Sequence, residues 1–155
     1  MKKKSERQSL DLFRQLLTDF PQARIIEAES PDFILKTRRW SLGVELTNVI
    51  VEDMFNATAK DAREWHESLA GQLGQLILKK EEKLIHYRKG LHRAYWLVLT
   101  YKGTQPIREN LLQKAIRKSE VISSFEKLFL LDENSSRVIK LDSVTKFSEN
   151  VKNAE

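Results

Sequence analysis

Cysteine is absent from the 155 residues, which removes disulfides, thiolate zinc sites and a cysteine nucleophile together. Histidine is scarce. His66, His86 and His92 show no metal-ligand spacing, and a Ser-His-Asp site has nothing to organise it. His86 reads as a helix-surface residue and His92 as part of the basic loop Arg88-Lys89-Gly90-Leu91-His92-Arg93. The five glycines form neither a Walker-type loop nor a GxGxxG turn, which argues against nucleotide cradles of those kinds. No apolar run approaches membrane-spanning length, and the basic start Met1-Lys2-Lys3-Lys4-Ser5-Glu6-Arg7 is not followed by an apolar signal core. The expectation is therefore a cytoplasmic protein with no membrane partner.

What is present fits a folded domain. The hydrophobic fraction is 41% and the charged fraction 32%, and this length buries a core without staples. No repeat, low-complexity stretch or linker divides the chain. It reads as a single domain over 1–155, with a core at about 5–102, helix and strand additions at 103–142, and a polar tail at 143–155 that is expected to fray. The net charge of +5 mildly favours a polyanionic partner, although the three opening lysines supply much of it.

Periodicity sets out the elements in order. Ser5 to Thr18 reads as a helix with Leu10, Phe13, Leu17 and Phe20 on one stripe, ended by Phe20-Pro21. Arg24 to Glu29 is a short strand. Two more strands follow, one opened by Pro31-Asp32-Phe33 and one running Leu42-Gly43-Val44-Glu45-Leu46-Thr47-Asn48-Val49. Helices are expected at about Thr58 to Leu69 and Gln72 to Lys89, then a strong interior strand from Tyr95 to Tyr101, apolar on both faces. Ile107 to Ser119 reads as an amphipathic helix, Val121 to Leu131 as a short helix running into a strand, and Arg137 to Leu141 as a final strand.

Two carboxylates draw attention within this pattern. Asp32 follows a proline, which fixes the backbone and lacks an N–H, and so suits the first residue of a strand. Glu45 shares a face with Gly43 and Thr47, as Asp32 does with Ile34 and Lys36. If the strands pair as a hairpin, the two acids converge, and two hard oxygen ligands facing one point are the start of a magnesium site. Read alone, such a pair is more commonly solvated surface. The connecting tip, Lys36-Thr37-Arg38-Arg39-Trp40, is basic and aromatic and would suit a phosphate backbone beside such acids. Glu6 projects onto the apolar stripe of the first helix. It serves there as first-turn electrostatics or reaches the polar end of the sheet.

The helix around Gln72 to Lys89 has an apolar stripe of Leu73, Leu76, Ile77, Leu84 and Ile85, with Lys80 in its middle and Lys83 and Tyr87 along one flank. A lysine so placed either snorkels its ammonium to the surface or pairs with an acid, because an unpaired buried charge is costly.

This order of elements, with Pro31-Asp32 on one strand and Glu45-x-Thr47 on the next, resembles the PD-(D/E)xK nuclease superfamily from about Ser5 to Lys102. The resemblance implies an α/β fold with a restriction-endonuclease-like αβββαβ core, a mixed central sheet flanked by helices. It implies Mg²⁺ (or Mn²⁺) held by Asp32 and Glu45, with Glu6 as a further acid near the metal, and a lysine that orients or activates the attacking water. Thr47 stands where the family places that lysine. Members that move it onto the following helix make Lys80 its counterpart, with Lys36 a second substitute. Lys83-x-x-x-Tyr87 looks like a variant of the Gln-x-x-x-Tyr pair of the exonuclease-like branch. The implied activity is hydrolysis of phosphodiester bonds in DNA, less so RNA, with Lys36, Arg38, Arg39 and Tyr87 as nucleic-acid contacts and a homodimer where both strands of a duplex are cut. Two other readings stay open: a catalytically degenerate member that binds nucleic acid or serves as an assembly subunit, and an ordinary α/β interaction domain.

Overall fold

The structure is a computed structural model that describes residues 2–29, 31–50, 61–87, 92–142 and 144–145. Its elements are α1 (Lys2–Leu16), β1 (Arg24–Glu27), β2 (Phe33–Lys36), β3 (Ser41–Val49), α2 (Ala62–Tyr87), β4 (Ala94–Tyr101), α3 (Glu109–Lys118), β5 (Ile122–Ser123), β6 (Lys127–Asp132), β7 (Arg137–Lys140) and β8 (Val144–Thr145). Six strands form one mixed sheet in the order β1-β2-β3-β4-β6-β7, and β5 pairs with β8 in a separate two-stranded ribbon. β3, β4 and β6 run parallel, with antiparallel pairs on either side of them. This is an α/β architecture with helices on both faces of a mixed sheet.

The alternation of side chains along the strands decides what each face meets. Phe33, Leu35, Leu42, Val44, Leu46, Trp96, Val98, Phe129 and Leu131 pack with Leu10 and Phe13 of α1. The opposite parity on β4 and β6, Tyr95, Leu97, Leu99, Tyr101, Leu128 and Leu130, packs with Trp65, Leu69, Leu73, Ile77 and Leu84 of α2 and with Leu112, Ala115 and Ile116 of α3. β4 is therefore apolar on both sides because it is covered on both sides, as its sequence predicts. Each large side chain so buried contributes about 1.5–3 kcal/mol.

Four expectations are corrected. The helices expected on either side of Ala70-Gly71 are one helix of 26 residues. Trp65, Leu69, Leu73 and Ile77 recur every fourth position and stay in one core cluster. Glycine costs a helix interior only about 1 kcal/mol, less than the burial that this stripe supplies. The helix expected to open the segment 121–131 is replaced by β5 and a bend. There Glu81 of α2 accepts the Ser123 hydroxyl at 2.7 Å and the Ser124 N–H, and the Ser123 hydroxyl accepts the Phe125 N–H at 3.1 Å. These bonds occupy donors that a helix would have used. Ile85, expected in the buried stripe, is 68% exposed. The tail is paired at Val144–Thr145. Expectations for residues 51–60, 88–91 and 146–155 lie outside the described residues.

Candidate functional site

Asp32 lies one residue before β2. The β2–β3 register pairs Phe33 with Val44, so one further step places Asp32 opposite Glu45, on the face that α2 covers. A single glycine makes this approach feasible. A Cβ on Gly43 would sit 2.6 Å from the Tyr95 ring and 2.8 Å from Pro31 Cγ, so the missing side chain lets Tyr95 and Pro31 close over the backbone of β3. Pro31 in turn sets where Asp32 begins.

Both acids are inside the protein: Asp32 is 9% exposed and Glu45 5%. Asp32 Oδ2 accepts the Leu46 N–H at 2.9 Å, and the Asp32 carbonyl accepts the Ala28 N–H at 2.9 Å. From above, Lys80 extends from the buried stripe of α2 and donates from Nζ to Glu45 Oε1 at 3.1 Å. The predicted lysine and the predicted glutamate are thus in contact, and Lys80 is paired rather than snorkelling freely.

α1 adds two more charges. Glu6 is largely buried and forms an ion pair through Oε2 with Lys3 Nζ at 3.0 Å, one helical turn back. Lys3 Nζ also lies 3.8 Å from Asp32 Oδ1. Among the described residues, three carboxylates (Glu6, Asp32 and Glu45) and two ammonium groups (Lys3 and Lys80) thus lie close together. Burial pushes the Asp32 carboxyl up, and the charges of Glu45 and Glu6 add to that, against the Leu46 N–H and Lys3, so it titrates at about 6. For Lys3, burial acts downward, but the contact with Glu6 and the charges of Asp32 and Glu29 outweigh it and hold the ammonium above the ordinary lysine range.

Glu6 and Lys80 reach a polar cleft of about 390 Å³ that is also lined by Ser5, Ser9, Leu46, Thr47 and Asn48. Beyond it the Thr100 hydroxyl donates to Asn48 Oδ1, and the Ser9 hydroxyl donates to Glu133 Oε1 at 3.2 Å. Thr47, two residues after Glu45, lines this cleft.

Other predicted residues are not brought here. Lys36 shares the face of Asp32 but pairs with Ser41 at the far end of β2, about 13 Å along the strand at 3.3 Å per residue. Arg38 and Arg39 are exposed at the hairpin tip beyond it. The basic tip is therefore remote from the acids rather than beside them. Lys83 is exposed, with no ion-pair partner among the described residues. Tyr87 closes α2, and its side chain lies outside what is described.

The sequence reading missed Lys3, which it counted as part of a basic run; the i,i+3 spacing to Glu6 was the available signal. Among the described residues no three His, Asp or Glu side chains are gathered as one ready ligand set. No helix among them is long and apolar enough to cross a membrane. No protein-family model, no curated protein and no solved structure matches the chain.

Proposed function

We propose that this chain is a Mg²⁺-dependent nuclease of the PD-(D/E)xK kind, with a restriction-endonuclease-like core, that hydrolyses phosphodiester bonds in DNA. The observation that carries this reading is the Lys80–Glu45 contact, with Nζ 3.1 Å from Oε1, beside a strand register that sets Asp32 opposite Glu45.

The donor set fits a divalent cation. Two buried carboxylates from adjacent strands supply hard oxygen ligands. Burial first, and then the charges of Glu45 and Glu6, raise the Asp32 carboxyl to about 6, and a bound cation would offset both. Asp32 and Glu45 would hold it, with Glu6 close by. When bound, it supplies a Lewis acid and a water of lowered pKa.

The chain's own groups have separate tasks. The Leu46 N–H fixes the orientation of Asp32. Lys80, on a helix locked by its neighbours Ile77 and Leu84, presents an ammonium that stabilises charge growing on phosphoryl oxygens. The cleft between α1 and the end of β3 gives a strand of nucleic acid a polar path with hydroxyl and amide groups on its walls. The reading extends to a cytoplasmic enzyme that pairs as a homodimer to cut both strands of a duplex.

One observation favours a second reading. Lys80 is already satisfied by Glu45, and Thr47 replaces the motif lysine, as in a degenerate member that binds nucleic acid without cutting it. Incubating the chain with labelled duplex and single-stranded DNA over a Mg²⁺ and Mn²⁺ titration separates the two. Metal-dependent cleavage that disappears in Asp32→Asn supports the nuclease. Salt-dependent binding with no cleavage at any metal concentration supports the binding subunit, and the absence of both removes the nucleic-acid reading altogether.

A further inference from the structure

The Lys3 side chain is 32% exposed, yet its ammonium is surrounded by oxygens as a bound cation would be. Its ammonium donates to the Ala28 carbonyl at 2.7 Å and to the Asp32 carbonyl at 3.2 Å. Glu6 Oε2 lies 3.0 Å away and Asp32 Oδ1 3.8 Å away. The Phe33 ring closes a further side, its centroid 5.0 Å from Nζ. Two carbonyl and two carboxylate oxygens from three segments of the chain are the ligand chemistry of a hard metal ion. An ammonium has only three donor hydrogens to share among them. Glu6 Oε2 accordingly is buried and takes no well-aligned hydrogen bond despite its ion pair.

Asp32 is divided between two neighbours. Oδ2 takes the Leu46 N–H, and Oδ1 faces Lys3. The Lys3 position is therefore next to the Asp32–Glu45 position, with Asp32 common to both. We propose that Lys3 is a tethered cation filling a second cation position in this pocket, so that the pocket accepts one divalent ion instead of two. The proposal rests on the reading of Asp32 and Glu45 as a divalent-cation site. Its physical logic is simple. The lysine is attached to α1 and so occupies its oxygen cage at every metal concentration, and its charge repels a second ion that approaches the same oxygens. Removing the charge while keeping an apolar stem of similar length should reopen the cage.

The test is the stoichiometry of Mn²⁺ binding to the full chain by titration calorimetry, with no substrate present. The expected result is one Mn²⁺ per wild-type chain, two per Lys3→Met chain and one per Lys3→Arg chain. Electron paramagnetic resonance of the loaded Lys3→Met chain should show two spin-coupled Mn²⁺ ions, which a distant adventitious site would not produce. Adding Glu6→Gln to Lys3→Met removes a carboxylate from the cage and should return the stoichiometry to one. A wild-type chain that binds one ion together with a Lys3→Met chain that also binds one overturns this inference and leaves the Asp32–Glu45 reading intact. A wild-type chain that binds none overturns both. Two ions in wild type or in Lys3→Arg overturn the tethered-cation role, whatever the folding of the Met variant.

Discussion

His66 and Lys80 sit on the same helix, and each carries a polar group into the face that α2 packs on the sheet, yet they end in opposite situations. His66 is 2% exposed, and both ring nitrogens are used: Nδ1 donates to the Ala62 carbonyl and Nε2 accepts the Arg108 N–H at 2.9 Å. Burial, opposed by the Ala62 bond and assisted by the Arg108 charge, lowers its pKa and keeps the ring neutral. It ties α2 to the start of α3 and leaves nothing over. Lys80 pairs with Glu45, close to a carboxyl, that of Asp32, that burial and neighbouring acids push up to about 6. Matched polar groups in a protein interior are architecture, whereas a carboxyl held far from its ordinary pKa marks a candidate site.

The widest separation between these two regions should come from activity. Glu45→Gln and Lys80→Met should each lower metal-dependent DNA cleavage by about 100-fold or more, as losses of preorganised charge do. His66→Phe, with wild-type folding verified by circular dichroism, should leave cleavage within about threefold. Equal losses in all three would erase the distinction.

Next in size is Gly43→Ala. Its new Cβ would stand 2.6 Å from Tyr95 and 2.8 Å from Pro31, and such overpacking costs about 1–3 kcal/mol in urea unfolding. Displacing Pro31 also moves Asp32, so metal affinity should fall with stability. A stability loss without a change in metal affinity would show that Pro31 does not position the acid.

Asp32→Asn gives the test of sign. Because folding raises the Asp32 pKa from 3.8 to about 6, the folded state binds the extra proton between those values. The stabilisation linked to that proton is complete below about 3.8 and is lost as pH rises through 6. Without divalent ion, Asp32→Asn should therefore be more stable than wild type at pH 7, by about 1–3 kcal/mol, with the gain shrinking toward pH 4. Adding Mg²⁺ should raise the melting temperature of wild type and not of the variant. A variant less stable than wild type at pH 7 would place Asp32 among the matched, architectural groups.

The smallest effect belongs to His66 and has the opposite sign. Its folded pKa lies below 6.5, so the unfolded chain takes up the proton first. The contribution is present above 6.5 and lost as pH falls through the folded pKa. Replacing His66 by Phe leaves the Arg108 N–H without its acceptor, and should cost about 1–3 kcal/mol at pH 7.5 and less at pH 5. A cost independent of pH would mean that the ring acts by packing alone.

The sequence was informative wherever a period decides the outcome. A period of two put Asp32 and Glu45 on one face, and a period of 3.6 put Lys80 over them. The stripe of Trp65, Leu69, Leu73 and Ile77 was divided between two expected helices, and its burial in one core cluster is what joins them. Two kinds of information were missing. Periodicity reports which face a residue occupies but not its distance from the strand end, so Lys36 was on the correct face and at the wrong end. It also says nothing about contacts between remote segments. Lys3 looked like part of a charged run because Ala28 and Asp32, whose carbonyls hold it, are 25 and 29 residues away in the chain. The bend after Ser123 was hidden in the same way, since its determinant, Glu81, is on α2.

The Leu46 amide has a use that follows from its position. β2 has already ended where Leu46 looks for an acceptor, so this N–H bonds to a carboxylate side chain instead of a neighbouring backbone. Its proton is thereby a resident indicator. In a nitrogen–proton correlation spectrum, the Leu46 resonance should shift as Asp32 gains a proton and shift again as a metal ion draws charge from the same carboxylate. One backbone signal in the middle of the fold thus records the state of the pocket without a label, a substrate or a mutation.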